Sequence, residues 1–436
     1  MKILVTTSNR ECICLSQLKA AGNPQSSSNL NELRGLSTAM ASFAFILAHA
    51  MVLLVLILSS FNSFAKHGYS STRHHQHHRH HPTNKATINP RLQQAYVALQ
   101  AWKKVIYSDP KNFTSNWIGP SVCNYTGVYC APYPDNTKIQ VVAGIDLNFA
   151  DIAGFLPEEL GLLSDLALIH LNSNRFCGIL PQSLANLTLL FELDLSNNRF
   201  VGPFPSVVLS LPTLKFLDIR FNEFEGPLPP QLFAKKLDAV FLNNNLFTSV
   251  IPPNLGLSSA SVVVFANNKF GGCLPPSIAN FANTLEELLL INTSLTGCLP
   301  PEVGYLYKLR VLDVSSNKVV GPIPYSLAGL AHLELLNLAH NMFTGDVPAG
   351  VCVLPNLSNF TYSYNFFCEE EGICMNLTSR GIAFDDRRNC LLEKPLQRTK
   401  KECSAVYEHP VECFDYHCGG SGTPPAPTPL SSPPSG

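Results

Sequence analysis

The chain has 436 residues, of which 46% are hydrophobic and 14% are charged, a length that exceeds one ordinary domain unless the fold is repetitive. Its formal net charge of -1 hides a split, because residues 1–140 carry 13 Lys/Arg against 4 Asp/Glu and residues 141–365 carry 10 against 17. The acidic body argues against nucleic acid as a partner, and it either favours a basic partner or serves only to keep the molecule soluble.

The first predicted element is an apolar run from Phe43 to Phe61, followed by the small residues of Ser63-Phe64-Ala65. We predict a signal peptide over residues 40–65, cleaved after Ala65, with Met40 as the true start and residues 1–39 as an N-terminal extension. A retained membrane anchor is the alternative, because the run is near the lower limit for spanning a bilayer. The prediction is therefore a secreted protein.

Residues 66–88 form a basic, histidine-rich linker that contains His74-His75-Gln-His77-His78-Arg-His80-His81. Clustered imidazoles can bind a metal ion, but this run has no cysteine or carboxylate partner and no enforced geometry. We interpret it as a flexible spacer that gains charge by titration near neutrality, and we predict no metal site.

Residues 89–140 are predicted to cap the N-terminal end of the fold. Apolar residues at helical spacing predict an amphipathic helix that ends near Asp109-Pro110. Cys123 and Cys130 close a loop short enough for a local disulfide. The apolar positions of the helix are Leu92, Ala95, Leu99 and Trp102.

A repeat follows over residues 141–365, with the unit L-x-L-x-x-N followed by x-F/L-x-G-x-L/I-P. Its period of 23 to 25 residues is that of a leucine-rich repeat, in which alternating apolar residues of a short strand point inward. One repeat cannot bury its own apolar face, so neighbours and terminal caps must complete the core. The asparagine column, which predicts a ladder of side-chain hydrogen bonds, comprises Ala150, Asn174, Asn198, Asn222, Asn245, Asn268, Thr293, Asn317, Asn341 and Asn365.

The second half of the unit has a G-x-[LIF]-P signature, as in Gly178-Ile-Leu-Pro181 and Gly226-Pro-Leu-Pro229, and Ser249 replaces the glycine once. Glycine permits a positive φ in a tight bend, and proline fixes φ as the chain crosses the convex side. The signature resembles the plant-specific extracellular class of leucine-rich repeats. We predict an α/β repeat solenoid: a right-handed plant-type horseshoe of ten concave strands with a helical N-cap and a disulfide-rich C-terminal module.

Twelve of the 14 cysteines follow the predicted signal peptide, as expected for disulfides formed in an oxidising compartment. Cys273 and Cys298 each lie five residues after the ladder position of adjacent repeats, so we expect them to pair. The remaining cysteines are Cys177 in the repeats and seven further along the chain, and seven cannot pair among themselves. Either Cys177 tethers the C-terminal module, or one thiol bridges to another chain, or one thiol is free and buried. The seven are Cys352, Cys368, Cys374, Cys390, Cys403, Cys413 and Cys418.

Two further patterns fit a secreted chain. Residues 366–418 form the Cys-rich module, and residues 419–436 form a tail with six prolines that favours disorder or polyproline II. Seven N-x-[ST] sequons predict glycosylation at several sites. The sequons are Asn112, Asn124, Asn186, Asn292, Asn356, Asn359 and Asn376.

Several strings resemble the leucine-rich repeat extensins of plant cell walls across residues 89–418. They include Leu99-Gln-Ala-Trp-Lys-Lys-Val-Ile-Tyr-Ser-Asp-Pro110 and Leu357-Ser-Asn-Phe-Thr-Tyr-Ser-Tyr-Asn-Phe-Phe367. The resemblance implies a cell-wall protein, often dimeric, that binds small basic signalling peptides of the rapid-alkalinisation-factor type between the repeat core and the Cys-rich module. It also implies regulation of wall assembly and cell growth, with wall polysaccharide as a further partner. The tail differs, because it has only Ser432-Pro433-Pro434 as an extensin-like fragment and no tyrosine, so we expect weak wall attachment.

Residues flanking the inward strand positions are candidates for binding the peptide. Asp194 and Asp218 occupy equivalent places on adjacent strands, where like charges cost free energy that a cationic ligand would relieve. The alternative is ordinary solvated surface. Asp146 and His170 occupy similar positions. The predicted peptide-binding residues are Asp194, Phe216, Asp218, Arg220, Phe241, Glu287, Asp313, Tyr362 and Tyr364.

Two other classes of function fit the sequence less well. An inhibitor of a secreted pectinase would resemble the polygalacturonase-inhibiting proteins, which share this repeat class and an acidic concave face, but the Cys-rich module and Pro-rich tail argue against it. An enzyme would need a nucleophile–base set, metal-ligand spacing or a phosphate loop, and only isolated groups such as Asp385-Asp386 and His170 occur. We predict a binding protein without catalysis or cofactor.

Overall fold

The computed structural model describes residues 89–408 and Cys413. The predicted N-terminal extension, signal peptide, His-rich linker and Pro-rich tail lie outside these residues and stay predictions. No helix within the described part of the chain is both long and apolar enough to cross a membrane.

The N-terminal cap is built on helix α1, Pro90–Val105. The Asn89 side chain accepts a hydrogen bond from the Arg91 backbone nitrogen, and Pro90 at the first position has the φ that a helix needs. The helix ends earlier than predicted, because Ile106–Ser108 becomes strand β1 and pairs with the first repeat. The predicted cap disulfide between Cys123 and Cys130 is present, with Cα atoms 5.5 Å apart.

One sheet of twelve strands forms the concave face. Ten of its strands are those predicted from the repeat, all parallel to one another. The structure adds an antiparallel strand at the N-terminal edge and a further parallel strand at the C-terminal edge. In order across the sheet, the strands are β2 (Val128–Tyr133), β3 (Asn136–Asp146), β5 (Leu168–His170), β7 (Glu192–Asp194), β9 (Phe216–Asp218), β11 (Ala239–Phe241), β13 (Val262–Val264), β14 (Glu287–Leu289), β16 (Val311–Asp313), β18 (Leu335–Asn337), β20 (Asn359–Thr361) and β22 (Ala383–Asp385).

The residues after each ladder position form two further sheets, which we call the lateral face. The six-stranded lateral sheet contains β1, β4 (Ala153–Gly154), β6 (Arg175–Gly178), β8 (Arg199–Pro203), β10 (Glu223–Gly226) and β12 (Leu246–Phe247). The four-stranded lateral sheet contains β15 (Thr296–Cys298), β17 (Lys318–Gly321), β19 (Met342–Val347) and β21 (Phe366–Glu370). Between the two sheets, the isolated bridge from Thr248 to Lys269 and the hydrogen bond from the Thr296 nitrogen to the Gly272 carbonyl, at 2.8 Å, join one repeat to the next.

Short helices complete most repeats after the proline of the G-x-[LIF]-P signature. The 3-10 helices are η1 (Val122–Asn124), η2 (Glu158–Leu162), η3 (Gln182–Asn186), η4 (Ser206–Ser210), η5 (Leu255–Leu257), η6 (Pro276–Phe281), η7 (Pro301–Tyr305), η8 (Tyr325–Gly329) and η9 (Gly372–Arg380). The other α-helices are α2 (Gln231–Ala234), α3 (Ala349–Cys352) and α4 (Lys400–Tyr407).

The asparagine ladder forms as predicted. The Asn198 Nδ2 donates to the Leu171 carbonyl at 2.7 Å and to the Leu195 carbonyl at 3.1 Å, while its Oδ1 accepts from the Phe176 nitrogen at 3.0 Å. At the Thr293 position of the ladder, the side-chain hydroxyl donates one hydrogen bond to a backbone carbonyl, that of Leu290. The ladder also continues beyond the predicted repeats, because the Asn389 side chain bonds the Tyr362 carbonyl and the Phe367 nitrogen.

The predicted disulfide between Cys273 and Cys298 does not form. Cys298 pairs with Cys413, not with Cys273, and their Cα atoms are 5.6 Å apart. Cys298 belongs to β15, whereas Cys273 follows two glycines in the gap between the lateral sheets and is disulfide-bonded elsewhere. Gly321 makes room for the bridge, since a Cβ there would lie 2.6 Å from the Cys413 sulfur and 2.8 Å from the Cys298 sulfur.

The C-terminal module is therefore tethered to the repeats, but through Cys298 and not through Cys177. Within the described residues, Cys177 and Cys368 are both free thiols, so neither forms a disulfide within the chain. Two further bridges are local, Cys352–Cys374 and Cys390–Cys403. Cys352–Cys374 joins the last predicted repeat to the module across 22 residues, and Cys390–Cys403 lies within the module with a separation of 13 residues.

Candidate functional site

The concave face presents the first and third residues of each three-residue strand, because the middle residue points into the core. The third-position residues are paired directly across the sheet: Asp146 with His170, His170 with Asp194, and Asp194 with Asp218. Neighbouring strands are about 4.8 Å apart. The N-terminal half of the face thus concentrates acidic groups in one row.

These aspartates also have a local role that explains their residue type. Asp194 accepts a hydrogen bond from the Ser196 nitrogen at 2.9 Å, and Asp218 accepts one from the Arg220 nitrogen at 3.1 Å. Asn337 makes the same bond in its own repeat, at 3.1 Å to the Ala339 nitrogen. An amide therefore satisfies the turn equally well, and the turn alone does not require the negative charge.

The negative charge in the N-terminal half of the concave face is partly compensated by two cationic groups. The His170 Nε2 lies 3.0 Å from the Glu192 Oε1, and the Arg220 Nε lies 3.0 Å from the Asp218 Oδ2. With Asp146 and Asp194, four carboxylates face one imidazole and one guanidinium. We call these six groups the acidic cluster: Asp146, His170, Glu192, Asp194, Asp218 and Arg220.

The titration of the acidic cluster reflects this crowding. Burial and the charge of Asp194 raise the pKa of the Asp218 carboxyl well above its usual value, and Arg220 only partly opposes them. For His170, burial lowers the pKa, but the contact with Glu192 and the charges of Asp194 and Asp146 outweigh burial and raise it. Both shifts show that the cluster favours added positive charge.

An apolar strip borders the acidic cluster. The Phe216 and Phe241 rings are 5.5 Å apart between centroids, and the Arg220 guanidinium lies 5.3 Å from the Phe241 centroid. The sequence interpretation missed the remainder of this strip, although the signal was present as apolar residues at outward strand positions. Those residues are Ala239, Val262, Val264 and Leu289.

Glu287 and Asp313 lie on the same face but further along it. Asp313 on β16 is four strands from Asp218, a distance of roughly 19 Å at the usual strand spacing. It accepts bonds from the Ser315 nitrogen at 2.9 Å and the Asn337 side chain at 2.8 Å, and burial raises its pKa against these bonds. The sheet therefore places Asp313 outside the acidic cluster.

The two predicted tyrosines do not join the acidic cluster. Tyr362 is 0% exposed and donates its hydroxyl hydrogen to Glu370 at 2.7 Å, so it cannot touch a ligand and its prediction as a binding residue is wrong. Tyr364 is 38% exposed and stacks on His340, with ring centroids 4.2 Å apart. It lies in the turn after β20, which is six strands from β9, or roughly 29 Å.

The predicted glycosylation sites differ in their exposure. Asn359 lies on β20, at an outward position of the concave sheet, and is half-buried. The other six asparagines are exposed, and none of the seven lies on a strand of the lateral face. Within the described residues, no three His, Cys, Asp or Glu side chains converge to hold a metal ion.

Known families and proteins show several similarities to this chain. Residues 92–131 match the leucine rich repeat N-terminal domain family, and residues 189–211 and 308–330 match the Leucine Rich Repeat family. Leucine-rich repeat extensin-like protein 6 of Arabidopsis thaliana is 59% identical over 331 residues, which cover 76% of this chain and 70% of that protein. Pollen-specific leucine-rich repeat extensin-like protein 4 of Arabidopsis thaliana is 64% identical, over 80% of this chain and 50% of that protein. The chain thus spans about half the length of several such relatives.

Solved structures give the same fold. The Arabidopsis receptor kinase HAESA, in complex with the peptide hormone IDA and the co-receptor SERK1, is 26% identical with a TM-score of 0.60, covering 68% of this chain and 54% of that chain. A plant ice-binding protein has a TM-score of 0.57 at 22% identity, covering 70% of this chain and 97% of that chain. The latter likeness shows the fold alone.

Proposed function

The chain belongs to the leucine-rich repeat extensin-like family, and from this premise we propose that it binds a small basic, cysteine-containing signalling peptide in the cell wall. The family makes it an extracellular leucine-rich-repeat protein of the wall. The peptide is of the rapid-alkalinisation-factor type, and binding it regulates wall assembly and cell growth.

The acidic cluster is the observation that carries the proposal. Four carboxylates on β3, β7 and β9 repel one another within four neighbouring strands spaced about 4.8 Å apart, and within the cluster one guanidinium and one imidazole oppose them. A lysine or arginine of a ligand that enters the cluster relieves this repulsion and lowers the raised pKa of Asp218. The cluster therefore gains free energy from a cationic partner in particular.

The apolar strip supplies the second half of the binding face. The Phe216 and Phe241 rings lie beside the acidic cluster, so a peptide with an apolar residue next to its basic residues can bury it there. Electrostatic attraction then sets the association rate, and apolar burial slows dissociation. The HAESA ectodomain, of the same fold, is solved in complex with a peptide hormone, which supports a peptide as the class of ligand.

A charge-neutral double substitution tests the proposal. Asp194→Asn with Asp218→Asn keeps the acceptor oxygen that each turn needs, as Asn337 does naturally, but removes both charges. We expect association with a synthetic basic, cysteine-containing peptide to slow about tenfold at low salt, and its salt dependence to flatten. Stopped-flow measurements at several salt concentrations give both quantities.

The matched control is Glu223→Gln with Glu225→Gln, on exposed positions of β10 in the same repeat as Asp218. It removes the same net charge from the lateral face, so it should leave association nearly unchanged. Equal rates for the parent and the Asp194/Asp218 variant, at every salt concentration, would exclude electrostatic docking at the acidic cluster.

A further inference from the structure

The lateral face contains a cleft of about 510 Å³ that has no part in the proposed peptide site. It is formed by the G-x-[LIF]-P bends of three consecutive repeats, and no charged residue lines it. Val250 at its edge is 53% exposed and adds apolar surface there. The principal lining residues are Pro203, Phe204, Pro227, Leu228, Ser249 and Val250.

The cleft lies beside the last three strands of the six-stranded lateral sheet and ends at the break between the two lateral sheets. Strand β12 is the last of the six-stranded sheet, and the next bend is the one in which Ser249 replaces glycine. Ser249 keeps the left-handed backbone of its glycine equivalents, with φ of 76° against 88° for Gly202 and 76° for Gly226. A side chain in that conformation is strained, as it also is at other serines with positive φ such as Ser173 and Ser316. Here it places an exposed hydroxyl at the edge of the cleft.

The lining chemistry fits an extended proline-rich ligand. A polyproline II segment has no internal hydrogen bonds and presents apolar ring faces together with free carbonyl oxygens. The prolines, Phe204 and Val250 offer apolar contact to the rings, and the Ser206 and Ser249 hydroxyls can donate to carbonyls.

We propose that the cleft binds the chain's own proline-rich segment 424–434, Pro-Pro-Ala-Pro-Thr-Pro-Leu-Ser-Ser-Pro-Pro, as a polyproline II helix. Residues 419–436 carry no charge, in keeping with the uncharged cleft. Neither this segment nor the cleft enters the proposed peptide-binding site.

The disulfide tether brings this segment within reach. Cys413 is bonded to Cys298 on β15, and the Gly272 bend of the preceding repeat is so close to Val250 that a Cβ on Gly272 would lie 2.7 Å from it. Two repeats therefore separate the tether from the cleft, a distance of roughly 10 Å. Ten residues, 414–423, precede the segment and can span roughly 30 Å when extended.

A competition experiment on the full chain tests this docking. The probe is a fluorescently labelled synthetic peptide of residues 423–435, and its binding is followed by anisotropy. In a variant whose six tail prolines are replaced by glycine, the cleft is vacant and should bind the probe at least tenfold more tightly than the parent chain does. Equal binding to both chains would show that the segment does not occupy the cleft in its own chain, and would overturn the proposal.

Two substitutions, made in the variant whose six tail prolines are replaced by glycine, test whether the probe binds in the cleft. Val250→Asp places a charge in the cleft and should weaken probe binding at least tenfold, whereas Val353→Asp, at a similarly exposed valine far along the chain, should not. Ser249→Gly should weaken binding several-fold while raising the melting temperature, because it removes the hydroxyl and the backbone strain together. Unchanged probe binding in both Val250→Asp and Ser249→Gly would exclude the cleft.

Discussion

Single side chains connect the repeats of this solenoid, and Asn198 is a representative case. Its amide is buried and bonds the backbone of its own repeat and of the preceding one. Asn198→Leu removes these bonds but not the polar groups they satisfy, so it should destabilise the fold by about 1–3 kcal/mol for each orphaned group. Denaturant unfolding of the purified protein measures the loss. Gln182→Leu, at an exposed position of η3, is the control, and a parent-like midpoint for Asn198→Leu would refute the ladder's contribution.

His170 gives peptide binding a defined pH dependence. Its pKa is raised in the free protein, since Glu192, Asp194 and Asp146 outweigh the effect of burial. A bound cation would lower that pKa, so binding would release protons and affinity should fall as the pH falls through the range of histidine titration. Asp218 acts in the same direction, because a cation would lower its pKa as well.

Calorimetric titrations of the protein with the basic peptide at several pH values check the direction of this pH dependence. His170→Gln should flatten the dependence of the dissociation constant on pH, and His332→Gln, an exposed histidine of another surface, should leave it unchanged. An affinity that rises as the pH falls would contradict the assignment of the acidic cluster as the cation site.

At the scale of elements, the disulfides differ in how much chain they close. Cys298–Cys413 joins residues 115 apart, whereas Cys123–Cys130 joins residues 7 apart. In the chain-entropy description, these bridges stabilise the fold by about 5 and about 2 kcal/mol respectively. The paired change Cys298→Ser with Cys413→Ser should therefore reduce the free energy of unfolding more than Cys123→Ser with Cys130→Ser, as denaturant titration can show. The reverse order would mean that the tether adds little to the fold.

The extra strand β22 shows why the sequence pattern ended one repeat early. In Phe384-Asp385-Asp386-Arg387-Arg388-Asn389, the second apolar position of the unit is Asp386. Lys394 compensates this acid at 2.8 Å and also contacts Glu370 at 2.6 Å, so a charged pair replaces an inward leucine. Aspartate can stand at this inward position because Lys394 in the following loop compensates it, and the repeat pattern contains no information about that lysine.

Across the whole molecule, the faces of the solenoid are specialised. The concave face carries the acidic cluster and the apolar strip, while the lateral face carries the tether, the two free thiols and the cleft. The predicted glycosylation sites avoid the strands of the lateral face. A solenoid permits this separation because each column of its repeat extends one continuous surface.

The sequence by itself determined the repeat, the asparagine ladder, the cap disulfide and the outward positions of the acidic cluster except that of Glu192. Each depends on spacing within one repeat or between neighbours, and the period of 23 to 25 residues expresses that spacing directly. Only the tertiary structure decided that Cys298 pairs with Cys413 and that Cys177 and Cys368 form no disulfide within the chain. These pairings depend on which surface the C-terminal segment crosses, and the pattern of a single repeat does not contain that information.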